Sequence, residues 1–237
     1  MISRHAAIAI PEIVPKESWE LEFGLKRTIP GSARTDPAKA LLLFSDILKL
    51  GSPMKVLDAG CGNGRNTVYL ANRGCEVTSV DFAEIAISMT KHRLAAAGLQ
   101  GKVSVLSHSL VEPVPFAEDT FDFVLDSYVS CHFLSFEILS RFWKDMARVA
   151  KQDGHLLSVA FSTEDEYYAR LTNGGPSGSL ICDPVNGIWK RLYTEEEIRA
   201  FFSQWFEVKY FARFEFSDVV LGTSYRRVVL TSVLKKL

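Results

Sequence analysis

Three glycines at alternate positions, Gly60, Gly62 and Gly64, stand in the stretch Asp58-Ala59-Gly60-Cys61-Gly62-Asn63-Gly64. The short apolar run Met54–Leu57 leads into this stretch, and helical spacing follows it from Asn66 to Asn72. A strand, a glycine-rich turn and a helix in that order let the backbone pass close to a ligand, and the free amides at the start of the helix point at it. A second acid, Asp81, closes the next apolar run, Glu76–Val80, 21 residues after Gly60. A carboxylate at that place accepts the hydroxyls of a ribose. Together these residues read as a nucleoside site.

The spacing narrows the nucleoside. A dinucleotide fingerprint is G-x-G-x-x-G with a pyrophosphate on the helix N-terminus, and the present turn is one residue too short for it. Asp58 also places a negative charge ahead of the glycines, which suits a cationic ligand better than a pyrophosphate. S-adenosylmethionine carries an ammonium and a sulfonium and no phosphate. The pattern D-x-G-x-G-x-G suits it, with the carboxylate of Asp58 toward the amino-acid end. A purely structural glycine turn with a surface Asp81 is the plainer alternative; the joint presence of strand, turn, helix and second acid weighs against it.

The elements that must position this turn can be read on either side of it. Strand-like runs at 54–58, 75–80, 102–107, 121–126 and 155–161 alternate with helical segments at 65–73, 83–97 and 135–150, the first two stopped by Gly74 and Gly98. Repeated strand–helix order predicts an α/β protein with a doubly wound parallel sheet covered on both faces. Ahead of it, Asp36 reads as an N-cap with Pro37 at the first helical position of a helix to about Leu50. A short helical stretch near Ser18–Lys26 puts Trp19 and Phe23 on one face. After the sheet come an irregular insertion at 163–192, which includes Gly174-Gly175-Pro176-Ser177-Gly178, then a capping box of Thr194 with Glu197, and two β-like runs at 206–215 and 225–235. One domain spanning 1–237 is expected, with 1–50 as a helical lid and 163–192 as an insertion shaping a pocket.

In a doubly wound sheet the ligand lies outside the carboxyl ends of the central strands. Asp58–Gly64, Asp81-Phe82, His108–Leu110 and Asp126–Phe133 should therefore surround one crevice. The segment Asp126-Ser127-Tyr128-Val129-Ser130-Cys131-His132-Phe133 is dense in polar and aromatic groups. His132, Tyr128 and Asp126 are its candidates for proton handling or for orienting an acceptor. His132 could equally be a packed histidine, and Tyr128 suits a pocket wall better than a base, because a phenol is neutral near pH 7. Cys131 reads as a small buried residue.

The run Gly60-Cys61-Gly62-Asn63-Gly64-Arg65-Asn66-Thr67-Val68-Tyr69-Leu70-Ala71, with Val114-Pro115-Phe116 and Asp119-Thr120-Phe121-Asp122-Phe123-Val124, resembles the class I S-adenosylmethionine-dependent methyltransferases. Within them it looks most like the small-molecule branch that includes tellurite-resistance methyltransferases. The resemblance runs from about Met54 to Ser162. It implies a Rossmann-like, seven-stranded sheet of order 3-2-1-4-5-7-6 with strand 7 antiparallel. It implies S-adenosyl-L-methionine as cofactor, no metal, and a site of Asp58, Gly60, Cys61, Gly62, Asn63, Gly64, Asp81, Phe82, Ser109, Leu110 and Asp126. Relatives often carry an aspartate where this chain has Ser109, whose hydroxyl can still accept the adenine amino group.

Methyl transfer to a small organic acceptor by in-line displacement is the expected activity. A chalcogen or thiol acceptor, transfer of the aminocarboxypropyl group, a non-catalytic binding module and a nicotinamide-dependent oxidoreductase are the alternatives. Trp19 and Phe23 could close over the ligand, and Tyr167, Tyr168, Arg170, Trp189 and Arg191 could form the acceptor pocket, with Arg170 or Arg191 facing a carboxylate or phosphate. Each could instead be ordinary surface or packing.

Composition sets outer bounds. The chain has 237 residues with a formal net charge of −1, so no broad basic field for nucleic acid is expected. Its four cysteines, at 61, 75, 131 and 182, form no C-x-x-C pair, which suits reduced thiols and a cytoplasmic setting. Ala6–Ile10 is too short to read as a signal peptide, and no apolar run approaches a membrane span.

Overall fold

A computed structural model describes residues 10–171 and 179–237. Residues 174–178 of the glycine-rich segment and most of Ala6–Ile10 lie outside them. The central strands are β1 (Lys55–Ala59), β2 (Glu76–Asp81), β3 (Ser104–Ser107), β4 (Phe121–Ser127) and β5 (Ala150–Ser162), all parallel, in the order β3-β2-β1-β4-β5. Two short strands, β6 (Leu180–Cys182) and β7 (Trp189–Tyr193), form a hairpin. Two long strands, β8 (Phe206–Val220) and β9 (Thr223–Lys236), form another, with β9 antiparallel to β5.

The expected order is met by β3-β2-β1-β4-β5-β9-β8, with the last strand in the chain inserted antiparallel beside β5. The β6–β7 hairpin is an addition. Phe161 of β5 pairs with Val229 of β9 on one edge and with Leu192 of β7 on the other. β7 therefore extends the edge where β4 ends, at the carboxyl side of the sheet. The segment 163–192 is thus not irregular throughout: it holds a short helix over Glu166–Ala169 and most of this hairpin. Short apolar pieces such as Leu180–Cys182 are too brief to show a period in sequence.

Alternate residues of each central strand face opposite cores. Val56, Phe123, Leu125 and Leu157 pack with Leu41, Phe44 and Leu70 on one side. Leu57, Val124 and Leu156 pack with Leu139, Phe142, Trp143 and Phe202 on the other. Fully burying each of these large side chains contributes about 1.5–3 kcal/mol. Among the helices, α1 spans Lys16–Leu21 and runs on as a π-turn, Glu22–Lys26; α2 is Pro30–Ala33 and α3 Lys39–Ile47. Beyond β1 come α4 (Arg65–Asn72), α5 (Glu84–Ala96), α6 (Phe136–Val149), α7 (Glu166–Ala169) and α8 (Glu195–Phe202). α8 carries the expected Thr194–Glu197 capping box.

Asp36 does not cap α3. That helix opens after Ala38, whose amide donates to Asn66 Oδ1, while the Asp36 carbonyl takes a hydrogen bond from Arg65 Nη1. Two side chains of α4 thus hold the approach to α3 extended and delay its start. Among the described residues no helix is long and apolar enough to cross a membrane.

Candidate active site

The turn after β1 is built from left-handed residues: Gly60, Gly62 and Gly64 have φ of +70°, +57° and +79°. At Gly64 a Cβ would also meet Thr90 of α5 at 2.8–3.0 Å, so the close approach of α5 adds to the torsional demand for glycine. α5 braces the turn further: Thr90 Oγ1 donates to the Gly62 carbonyl at 2.8 Å, and Arg93 Nε donates to the Asn63 carbonyl at 2.9 Å.

Asp81, at the end of β2, faces this turn. Its Oδ2 accepts the Gly62 amide at 2.9 Å and its Oδ1 the Ala83 amide at 3.0 Å. Burial raises its pKa from the ordinary value, against the pull of the amides of Ala83, Gly62 and Phe82. Each oxygen keeps a further lone pair, the arrangement that two vicinal hydroxyls need. Phe82, Ser109 and Leu110 stand beside it on the wall of one cavity of about 460 Å³. A nucleoside with a free ribose diol fits this donor and acceptor set.

The cavity brings together Gly60, Cys61, Gly62, Asp81, Phe82, Ser109, Leu110, Tyr128 and His132. Four other candidates do not line it. Asn63 turns away and donates to the carbonyls of Ser32 and Arg34, tying the N-terminal segment to the turn. Gly64 packs on α5. Asp58 is buried beneath the turn, where its Oδ2 accepts the Thr67 hydroxyl at 2.6 Å; burial pushes its carboxyl up to about 6, against Thr67 and with a contribution from Asp81. Asp126 is likewise buried behind the loop it heads. Its Oδ1 accepts the amides of Val129 and Ser130, and its Oδ2 the hydroxyls of Ser130 and Ser158. With four donors on two oxygens, Asp126 shapes the loop and leaves the cavity wall to Tyr128 and His132.

Tyr128 has φ of +63°, a backbone state that bulky residues rarely adopt. Its amide is held by the Val159 carbonyl, and its ring stacks on Phe161 with centroids 4.8 Å apart. Burial raises its phenol pKa above the ordinary value, so Tyr128 is a neutral wall. His132 Nδ1 donates to the Trp189 carbonyl at 2.8 Å, which leaves Nε2 as the lone-pair nitrogen. Burial, helped by the charge of Lys190, pushes this imidazole down to about 3. His132 is neutral throughout the ordinary pH range. Cys131 is fully buried and its thiol is raised by burial, as a packing residue requires.

Trp19 and Phe23 both reach the cavity, their rings stacked at 5.9 Å, and Trp19 meets the His132 ring edge-on at 4.7 Å. Their segment is pinned from within. Glu22, fully buried, accepts the amides of Thr28 and Ile29 and the hydroxyls of Thr28 and Ser32. Of the suggested acceptor residues, Arg170 pairs with Glu166 on the surface, and Arg191 donates to the Leu134 carbonyl under the Phe136 ring, away from the cavity. Tyr167 and Tyr168 sit behind the wall, and Trp189 contributes its carbonyl.

Sequence reasoning missed Lys190, Arg227, Phe161, Phe214 and Phe216, all of which line the cavity. The one signal available was Arg227 at the mouth of the apolar run Val228–Leu230, where a charged residue on a buried strand needs a reason.

The profile of the methyltransferase-domain family matches residues 56–154, the stretch from β1 to the start of β5. A probable S-adenosyl-L-methionine-dependent methyltransferase, TehB, of Haemophilus influenzae is 31% identical over 121 residues, covering 51% of this chain and 41% of that protein. A solved S-adenosylmethionine-dependent methyltransferase from Methanosarcina mazei superposes with a TM-score of 0.69 at 21% identity, covering 85% of this chain and 99% of the other. A structure described in work on the conversion of a disulfide bond into a thioacetal group during echinomycin biosynthesis gives 0.71 at 20% identity, covering 94% and 93%. The chain spans less than half the length of the first curated relatives it matches.

Proposed function

We propose methyl transfer to a small organic acceptor as the reaction of this chain, which through residues 56–154 belongs to the class I S-adenosylmethionine-dependent methyltransferases. The observation that carries the reading is the continuity of one cavity from Asp81 and the glycine turn, past Tyr128 and His132, to an aromatic wall of Phe161, Phe214 and Phe216. Donor and acceptor can meet there out of water.

S-adenosylmethionine, when bound, supplies the electrophilic methyl group. The residues of the chain bind, orient and exclude water. Asp81 takes the ribose hydroxyls, Phe82 and Leu110 flank the base, and Ser109 offers the adenine a hydroxyl. Trp19 and Phe23 cover the site from the N-terminal segment. Holding an acceptor in line with the bond to be broken supplies much of the rate in such a displacement. His132 Nε2 can accept a hydrogen bond from the acceptor and fix its orientation, while its low basicity makes it a poor proton store. The length and aromatic lining of the cavity favour an organic acceptor over a bare chalcogen oxyanion.

The test is release of S-adenosylhomocysteine from S-adenosylmethionine when a panel of small acceptors is added. Acceptor-dependent release supports the reading. Tight cofactor binding with no release across the panel favours a binding module, and release of methylthioadenosine instead favours aminocarboxypropyl transfer.

A further inference from the structure

Two buried cations from outside the family's matched region line the cavity. Lys190 is 1% exposed and Arg227 6% exposed, and both line the cavity. Lys190 Nζ donates to Asp183 Oδ2 at 3.2 Å and to the Tyr168 hydroxyl at 3.3 Å, which leaves one of its three protons without a partner among the described residues. Arg227 gives Nε to Asp165 Oδ2 at 2.8 Å, and its Nη1 lies 3.9 Å from Asp218. Asp183 and Asp165 do not line the cavity, whereas both cations do; Asp218, the third carboxylate near them, also lines it and is paired with Arg34. Along the whole cavity five cationic side chains face three carboxylates among the described residues, in a chain whose formal net charge is −1. The positive excess is local to the cavity.

Carboxylates behind a buried cation hold it charged and oriented, and burial there is tolerated only because of such pairing. Burial pulls the Lys190 ammonium down, and Tyr168 and Asp183 outweigh it, so Lys190 stays a cation. Beside it lie the stacked rings of Tyr128 and Phe161, with Lys190 Nζ 5.8 Å from the Phe161 centroid. The wall thus sets aromatic rings beside two buried cations, one of which, Lys190, keeps a donor to spare, a combination that suits a ring bearing a carboxylate.

We propose that the acceptor is a small aromatic acid whose carboxylate is held by Arg227 and Lys190. The proposal rests on the methyl-transfer reading and names its substrate class.

The test uses the full chain saturated with S-adenosylhomocysteine and measures, by calorimetry or saturation-transfer NMR, the binding of benzoate and indole-3-carboxylate against benzamide and indole-3-carboxamide. At least one acid should bind at least tenfold more tightly than its own amide. The double variant Arg227→Gln with Asp165→Asn, which strands no buried carboxylate, should reduce that preference below threefold while S-adenosylhomocysteine affinity changes less than twofold. Arg227→Lys, which keeps the charge, should retain part of the preference and supports the proposal even if the double variant fails to fold. Equal binding of acid and amide, absence of binding by either, or a tenfold loss of S-adenosylhomocysteine affinity in the variants would overturn it, the last because the cation would then serve the donor. If the wild-type chain bound the acids but not S-adenosylhomocysteine, the proposed reaction would fall and the anion site would stand.

Discussion

His132 Nδ1 donates to the main-chain carbonyl of Trp189 at 2.8 Å. A loop at the end of β4 is thereby joined to the strand β7 that the matched family region does not include. The carbonyl can only accept, so it fixes the tautomer and leaves Nε2 for a ligand. The same strand supplies Lys190, the residue that follows Trp189.

His132→Ala should lower turnover by roughly 100-fold, the scale of a misplaced acceptor, with S-adenosylhomocysteine affinity within about twofold. Because burial holds the imidazole near 3, far below its ordinary 6.5, the ring carries no charge change between pH 5 and 9. The pH–rate profile of the wild type should show no limb near 6.5. A limb there that vanishes in His132→Ala would contradict the neutral assignment.

The N-terminal segment depends on Glu22. Its carboxylate accepts four hydrogen bonds, two of them from backbone amides that have no replacement if it is removed. Glu22→Ala should destabilise this segment by about 2–4 kcal/mol, from hydrogen bonds to a buried charge. Trypsin cleavage after Arg27 should accelerate, and S-adenosylhomocysteine should bind more weakly as Trp19 and Phe23 lose their support. An unchanged cleavage rate would show that the segment is held by other contacts.

Asp58 gives a stability prediction with a definite sign. Its folded value of about 6 lies above the ordinary 3.8, so the native state holds the proton more tightly than the unfolded chain. Its contribution favours folding at low pH and is lost as pH rises from about 4 to about 6. Asp58→Asn should remove this dependence, gaining about 1–3 kcal/mol relative to wild type between pH 4 and 7. Denaturant unfolding at the two pH values measures it. A difference that stays constant with pH would refute the raised value.

The order of the central sheet was legible because its signals are local. Apolar runs ending in Asp58 and Asp81, helices closed by Gly74 and Gly98, and the Thr194–Glu197 box each appear where their spacing puts them. The glycine turn and Asp81 were legible for the same reason, since Lys55–Asp81 is one strand–turn–helix–strand unit. Even there, side-chain direction was not. Asp58 and Asp126 sit in the right loops yet are consumed by Thr67, Ser130 and Ser158, bonds that depend on three-dimensional neighbours. The wall formed by Phe161, Lys190, Phe214, Phe216 and Arg227 is assembled from β5, β7, β8 and β9, far apart in sequence. No spacing rule brings Lys190 to Phe161, or Arg227 to Asp165, 62 residues away. Of the arginines chosen from sequence, Arg191 is next in the chain to the lining residue Lys190 but points elsewhere, and Arg170 pairs with Glu166 on the surface.

The most direct test of the account is calorimetric titration of S-adenosylhomocysteine into the wild-type chain and into Asp81→Ala. The account predicts one site with a Kd of about 1–100 μM, equivalent to roughly 5.5–8 kcal/mol. It predicts a loss of at least thirtyfold in Asp81→Ala, about 2 kcal/mol for hydrogen bonds to a charged group, with the far-UV circular dichroism unchanged. Undiminished affinity in a folded Asp81→Ala, or preferential binding of NADH by the wild type, would contradict it.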